Sequence, residues 1–322
     1  MTGRVPGSEV WGREATLGWQ LEYRTMDASA LKLQGEFGEL AELWTRCPVI
    51  WNVKVSPDCR WVAWSWAGPG DAVDVYVAPI DGSAPPRRLT ASPEHTLLRS
   101  WAPDSGSVIV AQNVGGDERD QLVQLFIDRP RELVSLTEPC PRYFIYGGQL
   151  HNNGRWLVYS ANFDVETGEE IEGSWVYRHD LMTGQRVPLL RRQRGEHYGP
   201  QLNRAGTLVL CHRHDRDPAG SQAWLVDIEG TVAPREILNL GDDRKVVAGW
   251  HGDGQRVLFL SETPTHERVG LYDPEDGSLR WLVDDPDRCI EGALPSDDGN
   301  AVMLIEIRNA RVRASLLDLS TG

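Results

Sequence analysis

Ser56-Pro57-Asp58-Cys59-Arg60-Trp61-Val62-Ala63-Trp64 is a tight turn followed by an apolar run, and the chain contains six phrases of this kind. The other turns are Ala102-Pro103-Asp104-Ser105, His151-Asn152-Asn153-Gly154, Asn203-Arg204-Ala205-Gly206, His251-Gly252-Asp253-Gly254 and Ser296-Asp297-Asp298-Gly299. Their last residues fall at 59, 105, 154, 206, 254 and 299, giving steps of 46, 49, 52, 48 and 45 residues. Pro and Asp favour the body of a turn, and Gly at its end accepts positive φ. A repeat of this length, filled with short strands, is the pattern of β-propeller blades.

Each repeat parses alike. In the first, Val49–Val55 leads into the turn, Trp61–Trp66 is the second strand, Val73–Val77 the third and Arg87–Thr90 the fourth. The later second strands are Val108–Ala111, Trp156–Ser160, Leu208–Cys211, Val257–Leu260 and Val302–Ile305. These short apolar runs suit strands covered on both faces, and none offers a long stretch at helical spacing. The third strand ends in Asp followed by a turn to Gly, as at Asp180, Asp227, Asp273 and Asp318. Asp128 is assigned this place in the second repeat and Ala78 in the first. One Asp per strand end reads as turn capping, with metal binding the alternative.

The expected architecture is therefore all-β: a β-propeller of six recognisable four-stranded blades over 48–322, preceded by an N-terminal extension, 1–47, that fits no copy. Within the extension, Ala15–Met26 alternates enough to be a strand. It either supplies the outer strand that the sixth blade lacks or belongs to a neighbouring domain. The sixth copy stops at Leu316-Leu317-Asp318-Leu319-Ser320-Thr321-Gly322, before its own fourth strand, and the chain reads as the front part of a longer protein.

A formal charge of −14 argues against a nucleic-acid backbone or an anionic membrane as partner. Five scattered cysteines without a Cys-x-x-Cys pair point to reduced thiols rather than a disulfide framework or zinc site. No apolar h-region opens the chain and no apolar stretch is long enough to span a bilayer, so the expectation is a soluble cytoplasmic protein. With 40% apolar residues and 13 Trp, material for a core is ample.

Motifs of catalysis are missing. The sequence contains no Gly-x-Ser-x-Gly elbow, Gly-rich phosphate loop or His-Glu-x-x-His. No cofactor or metal is expected. Cys211-His212-Arg213-His214-Asp215 has metal-like composition, since two imidazoles at i and i+2 share a strand face, but no third ligand is placed beside them. Two hairpins remain as binding candidates. One is Asn162–Ser174, read as the longest such loop, where Glu169 and Glu170 focus negative charge suited to a cation such as a peptide amino terminus. Gln112–Leu122 is the other, where Gly115-Gly116 permits a tight turn and Asp117, Glu118 and Arg119 can pair across a hairpin or an interface.

Gly115-Gly116-Asp117-Glu118-Arg119-Asp120-Gln121-Leu122, set one blade after Ser56–Trp64, resembles the N-terminal propeller of prolyl oligopeptidase-family serine peptidases, above all the acylaminoacyl-peptidase-like branch. Trp101–Ser105 and Trp175–Gly184 are similar to that family and to TolB-like propellers, and the likeness covers about 45–322. It implies a gate: a propeller that caps an α/β-hydrolase domain and admits oligopeptides. In that family the catalytic Ser, Asp and His all lie in the hydrolase domain, so none is carried over to this chain. Some branches hold the substrate's amino terminus with propeller acids; the context of Glu169 and Glu170 differs, and that role is not transferred to them. Hence the expectation is a non-catalytic gating propeller, with an α/β-hydrolase domain and oligopeptides as partners. A stand-alone interaction scaffold is the alternative, and a catalytic propeller with acids converging on the channel is a third.

Overall fold

A computed structural model of the chain describes residues 49–67, 72–91, 94–129, 132–191, 198–214, 220–241 and 245–320, which contain strands and turns and no helix. These residues belong to one compact unit, Arg46–Gly322. The predicted closing strand Ala15–Met26 lies outside them.

Six antiparallel sheets follow one another along the chain and form a six-bladed β-propeller. The first holds β1 (Val49–Val55), β2 (Trp61–Ala67), β3 (Val73–Pro79) and β4 (Arg87–Arg88). The second holds β5 (Thr96–Trp101), β6 (Ser107–Gln112), β7 (Gln121–Phe126) and β8 (Leu133–Ser135). In the third are β9 (Ile145–Leu150), β10 (Trp156–Asp164), β11 (Glu169–Asp180) and β12 (Arg186–Leu190). The fourth comprises β13 (Tyr198–Leu202), β14 (Leu208–Arg213), β15 (Gln222–Asp227) and β16 (Arg235–Ile237). The fifth comprises β17 (Lys245–Trp250), β18 (Val257–Glu262), β19 (Glu267–Tyr272) and β20 (Leu279–Asp284). The sixth has three strands among the described residues: β21 (Ile290–Pro295), β22 (Ala301–Arg308) and β23 (Arg311–Asp318). In every sheet the chain runs from the inner strand outward, pairing each strand with the next.

Cores lie between blades. Ala63, Val75 and Val77 of the first blade meet Leu98, Val108 and Val123 of the second. Ile109, Ala111 and Leu122 then meet Leu157, Tyr159 and Tyr177 of the third. Similar clusters join the third to the fourth, the fourth to the fifth and the fifth to the sixth. Because both faces of a middle strand enter such clusters, β6 and β15 are buried along almost their whole length, which explains their unbroken apolar sequences. Sixth and first blades differ. No such core joins them among the described residues, and Val312 (72% exposed), Leu316 (74%) and Ile50 (55%) show the two facing sheets open to solvent. A hydrogen bond from Cys59 Sγ to Asp297 Oδ2, 3.7 Å, links the turns of these blades.

The opening phrase is the turn between inner and second strands, and its geometry repeats. The N–H of its fourth residue bonds the carbonyl of its first in all six copies. The fourth residue has positive φ each time: Cys59, Ser105, Gly154, Gly206, Gly254 and Gly299. The third residue accepts backbone N–H groups beyond the turn, as Asp58 does from Arg60, Asp104 from Gly106 and Asp298 from Asn300. The pKa of Asp58 is lowered first by its hydrogen bond from Ser56, and that of Asp298, to about 2, by the one from Ser296.

Register corrects one alignment. Trp61 pairs with Pro79 and Ser107 with Phe126, just as Trp156 pairs with Asp180 and Leu208 with Asp227. Pro79 and Phe126, not Ala78 and Asp128, therefore hold the strand-end position in the first two blades. Where Asp does stand there it caps the turn: Asp180 Oδ1 accepts the N–H groups of Met182 and Thr183, and Asp227 Oδ2 those of Thr231 and Val232.

Candidate functional site at the rim of the second and third blades

Both candidate hairpins join a second to a third strand, on the side of the propeller where the inner strands begin, and they belong to adjacent blades. In the hairpin between β6 and β7, Gly115 and Gly116 take φ of 66° and 70°, and Asp117 Oδ1 caps the N–H of Arg119 at 3.1 Å. Asp117 and Glu118 are exposed; Arg119 is half-buried, its guanidinium 5.7 Å from the centre of the Phe144 ring in the third blade. The three residues thus separate into two surface carboxylates and one cation that bridges blades.

The residue after the trio is the buried one. Asp120 receives Arg99 Nη2 at 2.8 Å and Asn113 Nδ2 at 3.3 Å, and burial raises its pKa against the pull of Arg99. Arg99 comes from the inner strand β5, so this ion pair ties the hairpin to the wall of the propeller. Asp120 was not among the candidates read from the sequence. Its only signal there is its place one residue before the apolar strand Gln121–Phe126.

The second hairpin is shorter than expected. β10 runs on to Asp164 and β11 starts at Glu169, so 165–168 alone form the turn, closed by Gly168 N–H on the Asp164 carbonyl. Asp164 pairs with Glu169 and Phe163 with Glu170. Consecutive strand residues face opposite sides, so Glu169 and Glu170 do not form a pair facing one ligand. Glu170 Oε1 accepts Asn162 Nδ2 at 3.0 Å, and Asn162 Oδ1 accepts the Phe144 N–H at 2.7 Å. A continuous line therefore runs from Arg119 over Phe144 through Asn162 to Glu170, and it joins the two hairpins.

Polar residues of the third blade and the segment before it anchor this rim. Arg186 on β12 donates two hydrogen bonds to the Glu138 carboxylate and a third to the Tyr143 hydroxyl, which donates to Glu138 at 2.6 Å. Burial would raise the pKa of Glu138, but the Arg186 and Tyr143 hydrogen bonds outweigh it and hold the group at about 2. His179, beside Arg186 in the sheet, is brought down to about 4 by desolvation and then by the Arg186 charge. The Tyr143 ring stacks on Phe163, centroids 4.3 Å apart. None of this network was legible as a site, because its members come from four separated segments.

The imidazoles of His212 and His214 are engaged elsewhere. His212 Nε2 accepts the Ala248 N–H of the fifth blade at 2.9 Å, and desolvation lowers its pKa to about 4. His214 Nδ1 lies 3.0 Å from the Gly220 carbonyl. Among the described residues no group of three His, Cys, Asp or Glu is arranged to hold a metal ion.

At the opposite end the six turns crowd together. Asn152 Nδ2 donates to the Arg204 carbonyl at 2.7 Å, and Asp58 N–H to Ser105 Oγ at 3.1 Å. Arg204 of the fourth blade passes over Gly254 of the fifth and donates from Nη2 to the Asp297 carbonyl of the sixth at 3.0 Å. One side chain thus spans three blades. The turn end is drawn tight, while the rim end carries the longer hairpins.

No model of a known protein family matches the chain, and no curated protein matches it. Solved structures do share its fold. Oligogalacturonate lyase in complex with manganese is 15% identical, with a TM-score of 0.65 over 83% of this chain and 73% of that one. TolB from Acinetobacter baumannii is 14% identical, TM-score 0.56, over 84% and 61%. Prolyl oligopeptidase B from Galerina marginata, bound to a 35mer hydrolysis and macrocyclization substrate, is 13% identical, TM-score 0.62, over 85% and 40%. The chain shares the β-propeller fold with these proteins. At these identities the likeness is one of fold, and the chain spans well under half of the oligopeptidase's length.

Proposed function

We propose that this propeller is a non-catalytic, substrate-gating module of the prolyl oligopeptidase type, acting with an α/β-hydrolase domain on oligopeptides. The observation that carries the reading is the asymmetry of the two ends. Arg204 ties the turns of the fourth, fifth and sixth blades together through Gly254 and the Asp297 carbonyl, whereas the rim carries the joined hairpins of the second and third blades. Exposed Asp117, Glu118, Glu169 and Glu170 make that rim acidic, which suits the amino terminus of an unfolded peptide. The fold match to an oligopeptidase over most of this chain, but only part of that protein, supports the same reading. Absence of a Gly-x-Ser-x-Gly elbow leaves the nucleophile to another domain.

Incubating the chain with chromogenic aminoacyl and acylaminoacyl substrates, and titrating it with short unstructured peptides, tests this. Peptide binding that protects the rim amides from hydrogen exchange, without turnover, is expected. Serine-hydrolase turnover by the chain alone, or no peptide binding at millimolar concentration, overturns the reading. In the second case the alternative, a scaffold for folded protein partners, stands in its place; the exposed sheet faces of the first and sixth blades favour it.

A further inference from the structure

The chain carries a net charge of −14 and three lysines, Lys32, Lys54 and Lys245. Two of the three stand on inner strands. The charged residues of the six inner strands are Lys54, Arg99, Lys245 and Glu291, three cations against one carboxylate. An acidic protein is thus lined by bases where its blades converge.

Lys54 and Arg99 are neighbours in this lining. The Trp101 indole N–H donates to the Lys54 carbonyl at 2.9 Å and seats β5 against β1. Arg99, two residues earlier, occupies the bulge between Leu98 and Ser100. Asp120 accepts from Nη2 of Arg99, whose side chain is 26% exposed. The Lys54 ammonium has no hydrogen bond or ion pair among the described residues. It is open to solvent and yet surrounded by protein, so that desolvation first, and then the Arg99 charge, depress its pKa. Both properties suit a group on the concave inner face of a propeller, where field lines are focused rather than screened. Two cations held close in such a space repel each other. An anion between them removes the repulsion and receives charge-assisted hydrogen bonds from both.

We propose that the inner wall formed by β1 and β5 binds an oxyanion, carboxylate or phosphate, between Lys54 and Arg99. With only three lysines, acetylation by acetic anhydride near neutral pH can be followed residue by residue by peptide mass spectrometry. Sodium phosphate slows acetylation of Lys54 severalfold against sodium chloride of equal ionic strength, and leaves Lys245 unchanged. Tetra-alanine and its C-terminal amide form the second arm. Protection by the acid and not the amide assigns a peptide carboxylate, and protection by phosphate alone assigns phosphate. By calorimetry the protecting anion binds Lys54→Met about tenfold more weakly, the loss of one charged hydrogen bond, and binds Lys245→Met unchanged. Failure of both anions to protect Lys54, or equal protection of Lys245, overturns the proposal on the unmodified sequence, whatever the variants do.

Discussion

Ala205 stands in the fourth blade where the other turns carry Asp58, Asp104, Asn153, Asp253 or Asp298. In the first blade two side chains share the capping: Asp58 takes the Arg60 N–H and Ser56 Oγ the Trp61 N–H. In the fourth, Asn203 Oδ1 takes both equivalents, Thr207 at 2.8 Å and Leu208 at 3.0 Å. Asn203→Ala therefore leaves two N–H groups unpaired, and urea unfolding is expected to show a loss of about 2 kcal/mol. Adding Ala205→Asp restores about 1 kcal/mol by returning a cap to the third position; no recovery would count against the shared-cap account. Gly254 is a second sensitive residue. Its φ is +72°, and a Cβ there meets Arg204, so Gly254→Ala is expected to cost about 2 kcal/mol or more in the same assay.

Between elements, the packing of the third blade on the second makes the fold pH-dependent. His179 titrates at about 4 in the fold, down from the ordinary 6.5, so below 6.5 the unfolded chain binds more protons. Its contribution is complete above about 6.5 and is lost as pH falls toward 4. Glu138, held at about 2 rather than 4.5, adds a second loss between those values. Melting temperature should thus fall in two overlapping stages on acidification, and Glu138→Gln should shrink the lower one, to which turn-capping carboxylates such as Asp298 also contribute. An unchanged acid limb in that variant would place the loss elsewhere. Strand identity at this scale was legible, because alternation and turn chemistry are local. Hairpin length was not: Glu169 to Ser174 reads as polar loop, and pairing of Phe163 and Asp164 with Glu170 and Glu169 draws it into the sheet. Cross-strand partners supply what composition does not.

For the whole molecule, five inter-blade cores hold six blades in line, and the seam between the last and first lacks one among the described residues. Sub-global opening should start there. Hydrogen exchange is expected to be slowest in β10 and β14, which have cores on both sides, and fastest in β1 and β21 to β23. Protection of β23 equal to that of β14 would show that the seam is closed. The candidate binding residues divide too: Arg119 and exposed Glu170 are joined through Phe144 and Asn162, whereas Asp117, Glu118 and Glu169 stand outside that line.

The sequence by itself determined the repeat, its strands and the chemistry of its turns, because a turn needs only four neighbouring residues and positive φ is a local demand. The phrase around Ser56–Trp64 was enough to count blades. Tertiary structure alone decided which strand-end positions correspond, that Asp120 rather than its acidic neighbours is the buried carboxylate, and that Lys54 and Arg99 share a wall. Those facts depend on pairing between strands, within a blade for Asp120 and the strand ends and across blades for Lys54 and Arg99, and no local pattern encodes it.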